Sequence, residues 1–92
     1  MTVKVEYGAQ VRVAAGTAAE SVALESGPGL RGLLALLAER HGKAFRDLIL
    51  DGAGNPRSSN LVLVNDQMVR WDAAPPLHDG DVVAILSPIA GG

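Results

Sequence analysis

The chain has 92 residues, 48% apolar but only 3% aromatic, which supports one domain with a core built from Leu, Val, Ile and Ala. A formal charge of −2 argues against a nucleic acid or an anionic membrane as partner. The absence of cysteine excludes disulfides, thiolate chemistry and cysteine-ligated metals.

The opening MTVKVEYG alternates apolar and charged residues, unlike the core of a signal peptide, and no apolar run is long enough to span a bilayer. A cytoplasmic, monomeric domain is therefore expected. The alternation from Val3 to Tyr7, resumed from Val11 to Val13, predicts a strand with Val3, Val5 and Tyr7 on one face. Glu20 to Leu24 reads as a second strand, and GTAA between them as the turn of a hairpin. Leu30, Leu33, Leu34, Leu37 and His41 follow helical spacing. Pro28 near the start and Gly42 past the end place a helix from about Pro28 to His41. KAFRDLIL adds a short second helix, with Phe45, Leu48 and Ile49 beneath it.

DGAGNPRSSN, Asp51 to Asn60, is a loop whose Gly and Ser content predicts mobility. LVLVN is a buried strand, ND a tight turn and QMVRW a returning strand. After DAAPPLHDGD, with its D-G turn, VVAIL is the last buried strand, and Pro88 ends the sheet because it has no amide hydrogen to give. The order of strand, strand, helix, strand, strand, strand predicts an α+β fold: one sheet with one helix across one face. The expected core includes Val3, Val5, Leu30, Leu34, Leu37, Leu63, Val83 and Ile85.

Several patterns imitate chemistry. GPGLRG, with Gly27, Gly29 and Gly32 and with Asp51 further on, outlines a dinucleotide fingerprint. A doubly wound sheet needs helices on both faces, and after Asp51 the chain offers only strands and loops, so a capped helix start is the better account. His41 and His78 lie on different elements, too few for a zinc site that needs three or four convergent ligands; no metal is expected. Ser58, Ser59, Ser87 and Thr17 have no patterned base beside them. Asp79 and Asp81 flank Gly80, which suits a turn better than acid–base work.

The chain ends SPIAGG, and Gly91–Gly92 weakens any strand or helix. A C-terminal carboxylate, with a pKa of about 3.3–3.7, is an anion at neutral pH and becomes reactive only when another molecule activates it. A tail without side chains can thread a narrow channel to a buried phosphate. Gly91–Gly92 is such a tail, and the stretch from Pro88 to Gly92 reaches about 16 Å when extended.

These features together resemble the ubiquitin-like β-grasp sulfur carriers, the family of the molybdopterin synthase small subunit and the thiamine-pathway carrier. The likeness runs end to end. VKVEYGAQVRVAAGTAAESVAL is similar to their first hairpin and GLRGLLALLAERHG to their single helix. LVLVND resembles their strand and turn, and PLHDGDVVAILSPIAGG their most diagnostic stretch. Ile85–Leu86 stands where the molybdopterin branch has two aromatics, and the loop at Asp51–Asn60 is longer. In both respects the chain looks more like the carriers of cysteine biosynthesis and the archaeal small modifiers.

The resemblance implies a mixed five-stranded sheet with one main helix. Residues 1–87 would form the β-grasp domain and 88–92 a flexible tail ending in Gly-Gly. It implies a carrier rather than an enzyme, or the small non-catalytic subunit of a synthase. Gly92 would be adenylated by a ubiquitin-activating-type enzyme and converted to a thiocarboxylate, with Gly91 giving clearance. That group would donate sulfur in cofactor, cysteine or thio-nucleoside biosynthesis, through a sulfurtransferase or synthase acceptor. The alternative is a protein modifier joined to lysines through Gly92. No cofactor would be bound, ATP being used by the activating partner, and neither nucleic acid nor membrane would be a partner. Strand parity adds that Val83 and Ile85 face the helix while Ala84 and Leu86 face outward. Leu86, with Pro88, Ile89 and Ala90, is then the expected partner-binding stretch.

Overall fold

Alternation along the first strand is what the structure, a computed structural model describing residues 1–25, 29–70 and 76–87, turns into a buried and an open face. In β1 (Thr2–Gly8), Val3, Val5 and Tyr7 are buried while Lys4 and Glu6 are exposed. β2 (Ala19–Ala23) runs antiparallel to β1, with Val3 opposite Val22 and Val5 opposite Glu20. β3 (Leu61–Val64), β4 (Gln67–Met68) and β5 (Val82–Leu86) complete one five-stranded sheet in the order β2-β1-β5-β3-β4. The first and last strands are parallel neighbours, with Val5 opposite Val83 and Tyr7 opposite Ile85.

Between β1 and β2 the structure corrects the sequence reading. Val11 to Val13 are not a strand but part of the helix α1 (Ala9–Ala15). Ala9 turns the chain with φ 54°, in the left-handed region. Val11 becomes fully buried, Val13 is 82% exposed, and Gly16, at φ 75°, closes the helix by donating to the Arg12 and Val13 carbonyls. Gly here meets the steric demand of a left-handed C-terminal residue.

α2 (Gly29–His41) buries Leu30, Leu33, Leu34 and Leu37 of the stripe that helical spacing marked, together with Ala38, while His41 is only partly buried. α3 (Lys43–Ile49) follows directly and buries Phe45 and Ile49. These side chains form one cluster with Val3, Val5, Val83 and Ile85. Each fully buried Leu or Phe is worth about 1.5–3 kcal/mol of transfer free energy. Leu63 does not join them. It is only partly buried and lies on the opposite face, because β3 pairs Val62 with Ile85 and Val64 with Val83, which makes Val62 and Val64 the core residues of that strand.

The turn after β3 is made by Asn65 and Asp66, both at positive φ, as a two-residue hairpin turn demands. The returning strand is shorter than expected: β4 holds two residues, though Val69 still donates to the Val62 carbonyl, and Trp71 lies outside the described residues. The Asp51–Asn60 loop is better tied than its composition suggests. Asp51 Oδ1 accepts from the Ala53 and Asn55 amides, Asp51 N–H donates to the Asn55 carbonyl, and Asn60 Nδ2 donates to the Leu48 carbonyl. The mixed strand order and the exposed Lys4 and Glu6 give the sheet one open face, which removes the doubly wound fold that the GPGLRG pattern requires.

Candidate functional site

The C-terminal end of β5 is where the sequence places the function, and two consecutive residues hold it from opposite sides. Leu86 lies opposite Gly8 in the parallel ladder. A Cβ built on Gly8 would stand 2.1 Å from Leu86 Cδ2, so the Leu side chain rests on the bare backbone that only glycine offers. Ser87 turns the other way. It is 7% exposed, and its Oγ accepts from the Gln10 amide at 3.0 Å and the Val11 amide at 3.3 Å. These are the second and third amides of α1, whose N-cap residue, Gly8, has no side chain to offer them.

The open face of the sheet is apolar along its C-terminal half. Strand alternation puts Val82, Ala84 and Leu86 of β5 on that face. Leu61 lies opposite Leu86, and Leu63 opposite both Ala84 and Met68. Met68 is 72% exposed. Leu86 is thus on the outward face expected of it, at one end of a strip whose other members the sequence reading did not single out. Pro88, Ile89, Ala90, Gly91 and Gly92 lie outside the described residues.

Other candidates resolve into structure. Asp79, Gly80 and Asp81 fasten the start of β1: the Asp79 carboxylate accepts from the Thr2 amide at 2.7 Å, and the Gly80 amide donates to the Thr2 carbonyl. Asp81 accepts from Asn65 Nδ2 at 2.9 Å and from the His78 amide at 2.7 Å, and these bonds, in that order, hold its carboxyl below the usual range. His78 itself is largely exposed. His41 ends α2 with its Nε2 2.5 Å from Glu20 Oε2. Tyr7 donates to the same carboxylate at 2.7 Å, and Arg40 to its other oxygen at 2.7 Å. Among the described residues, no group of three or more His, Asp or Glu side chains is arranged to hold a metal, and no helix is long and apolar enough to cross a membrane. A cleft of about 490 Å³ beside α3 is lined by Lys43, Arg46, Asp47, Asp51 and Arg57, whose charges partly meet one another, as in the 2.7 Å pair of Lys43 with Asp47.

One mixed sheet with parallel first and last strands, a main helix on one face and an apolar open face leading to the strand exit define a ubiquitin-like β-grasp protein. The family model of the ThiS family matches residues 5–92. The chain belongs to that family of ubiquitin-like sulfur carriers. It is similar to a putative molybdopterin converting factor subunit 1 from Pyrococcus furiosus, at 31% identity and TM-score 0.76, covering 97% of this chain and 99% of that one. It is also similar to Urm1 from Trypanosoma brucei (28% identity, TM-score 0.78, coverage 99% and 96%). A third solved structure is the small archaeal modifier protein 1 from Methanosarcina acetivorans (27% identity, TM-score 0.81, coverage 99% and 96%). No curated protein matches the chain in sequence.

Ser87 and its two amide donors escaped sequence reasoning. No local pattern links residues 77 and 76 positions apart.

Proposed function

We propose that this chain is a sulfur carrier whose substrate is its own C-terminus. The observation that carries the reading is the succession of a buried central strand, an outward Leu86 and the Gly91–Gly92 terminus, in a member of the ThiS family. A carboxylate oxygen of Gly92 attacks the α-phosphorus of ATP held by a ubiquitin-activating-type enzyme, and pyrophosphate leaves. Sulfide then attacks the acyl carbon and AMP leaves, which gives the thiocarboxylate directly; where a protein persulfide is the nucleophile, the acyl disulfide it forms is cleaved by a second thiol, which departs as a disulfide with the donor. The chain supplies position rather than chemistry. Gly91 and Gly92 bring no side chain into the channel, and Leu86 with the strip formed by Leu61, Leu63, Ala84 and Met68 meets the partner's surface. No cofactor is bound by the carrier itself, and the reaction belongs to the cytoplasm, where ATP is available.

One chain of a solved complex of subunits 1 and 2 of the molybdopterin-converting factor from Helicobacter pylori shares this fold, at a TM-score of 0.64 and 22% identity. A synthase or sulfurtransferase is therefore the second partner we propose. Likeness to a small archaeal modifier protein favours a second fate, in which a lysine amine displaces AMP and an isopeptide bond joins Gly92 to another protein.

Intact-mass analysis of the chain recovered from its own cells tests the reading. A gain equal to the difference between sulfur and oxygen at Gly92 supports sulfur transfer, and a Gly-Gly remnant on substrate lysines supports modification. Gly92 remaining an ordinary carboxylate in the presence of ATP, a sulfur source and the activating enzyme overturns both. Deleting Gly91–Gly92 is expected to abolish either product and leave the fold intact, since the core ends at Ile85.

A further inference from the structure

We propose that Ser87 is a positioning residue for the carrier's tail. By capping α1, it fixes the direction in which the chain leaves β5, and so the delivery of Gly92 to the activating enzyme. This deepens the carrier reading and rests on it.

Three observations carry the inference. First, Ser87 is the residue immediately after β5 and is almost fully buried, so its hydroxyl is held inside the structure at the root of the tail. Second, its two hydrogen bonds have no substitute. Gly8 has no side chain to cap α1, and Val11, one of the two donors, is fully buried, so loss of the hydroxyl strands an amide that water does not easily reach. Third, Leu86 is seated over Gly8 on the open face while Ser87 is anchored to α1, so the strand end is gripped on both sides. β1 continues directly into α1, so both grips refer the exit to the same central strand.

The geometry shows why the root matters. For a tail of five residues extended by about 3.3 Å each, a swing of about 10° at its base moves the tip by about 3 Å. That is as large as the separation of reacting atoms in a productive encounter. A hydroxyl that removes the swing raises the fraction of docked carriers whose carboxylate reaches the α-phosphate. The hydroxyl is bonded to α1 rather than directed at the docking strip, so its effect falls on the chemical step rather than on binding.

The experiment measures ATP-dependent pyrophosphate release by the activating enzyme with the full-length carrier, its Ser87→Ala and Ser87→Thr variants, and amide hydrogen exchange of each free carrier. Slow exchange at Gln10 and Val11 is expected in the native chain and fast exchange in Ser87→Ala. Ser87→Ala is expected to lower kcat about tenfold with KM changed by less than about twofold, and Ser87→Thr, which keeps the oxygen, to recover most of the loss. Native kcat in Ser87→Ala overturns the proposal, as does a loss confined to KM or fast exchange at both amides in the native chain. Ser87→Cys, nearly isosteric and a poor acceptor, takes the place of Ser87→Ala if that variant does not fold. An active native carrier with a fully active Ser87→Ala sinks only the role of Ser87, whereas a native carrier that releases no pyrophosphate sinks the carrier reading and this proposal together.

Discussion

The Tyr7 hydroxyl donates to Glu20 Oε2 at 2.7 Å, and at this point β1, β2 and the last turn of α2 are joined through side chains. The Tyr7 ring also meets His41 and Phe45 edge-on, with centroids 5.8 and 5.5 Å away. Burial, and after it the bond to an acceptor that is already negative, pushes the Tyr7 phenol far above its ordinary pKa of about 10. The folded chain therefore keeps this proton where the unfolded chain loses it. The stabilisation is complete below pH about 10 and is lost as pH rises beyond that value. Tyr7 is the only tyrosine, so the readout is clean. Tyrosinate absorbance is expected to be absent from the folded protein at pH about 10.5 and to appear only with unfolding.

The same carboxylate governs the acid limb. Partial burial works to raise the Glu20 pKa, but hydrogen bonds from Tyr7, Arg40 and His41 outweigh it and hold the group below its usual range. With Asp81 also depressed, the folded chain binds fewer protons than the unfolded chain across the acidic region. Stability is then present above the ordinary carboxylate range and falls as pH drops through the depressed values. Glu20→Gln is expected to cost about 1 kcal/mol at neutral pH and to flatten the decline below pH about 4.5, both read from urea midpoints across pH.

The hairpin turn offers a gain. Asn65 and Asp66 have φ of 51° and 69°, which costs about 1 kcal/mol or more for a residue with a Cβ. Asn65 is committed, since its Nδ2 donates to Asp81 and its Oδ1 accepts from the Val82 amide. Asp66→Gly completes the preferred Asn-Gly pair and is expected to stabilise the fold by about 0.5–1 kcal/mol, measured as a higher denaturation midpoint at unchanged slope.

Leu37 and Leu63 separate folding from docking. Leu37→Ala opens a cavity in the core and is expected to cost about 2–5 kcal/mol. Leu63→Ser, on the open face, is expected to cost about 1 kcal/mol or less, while raising the KM of the activating enzyme about tenfold. Equal losses of stability in the two variants would place Leu63 in the core after all.

Much of this architecture is readable because it is local. Lys4 and Glu6 mark the parity of β1, the Leu stripe marks α2, and Asn65–Asp66 and Asp79–Gly80–Asp81 mark their turns. Misreadings fall where the deciding partner is remote. LVLV has no polar residue to mark a face, so the parity of Leu63 is set only by pairing with β5. Val11-Arg12-Val13 alternates like a strand but closes into a helix, with the Ser87 hydroxyl, 76 residues beyond Val11, serving as its cap. Of the proposed site, Leu86 follows from alternation, whereas the strip around it depends on strand register.

The central place of β5 has a consequence for when the tail becomes usable. Without β5 the sheet falls into two pairs, β2 with β1 and β3 with β4, which share no hydrogen-bonded edge. The contact that unites them joins the first strand to the last, the largest sequence separation the fold contains, and such contacts form slowly. The strand that completes the sheet is also the one that carries the exit. A chain caught half-folded therefore lacks the seated Leu86 and the anchored Ser87 together, so the end of β5 is held from both sides only once the sheet is closed.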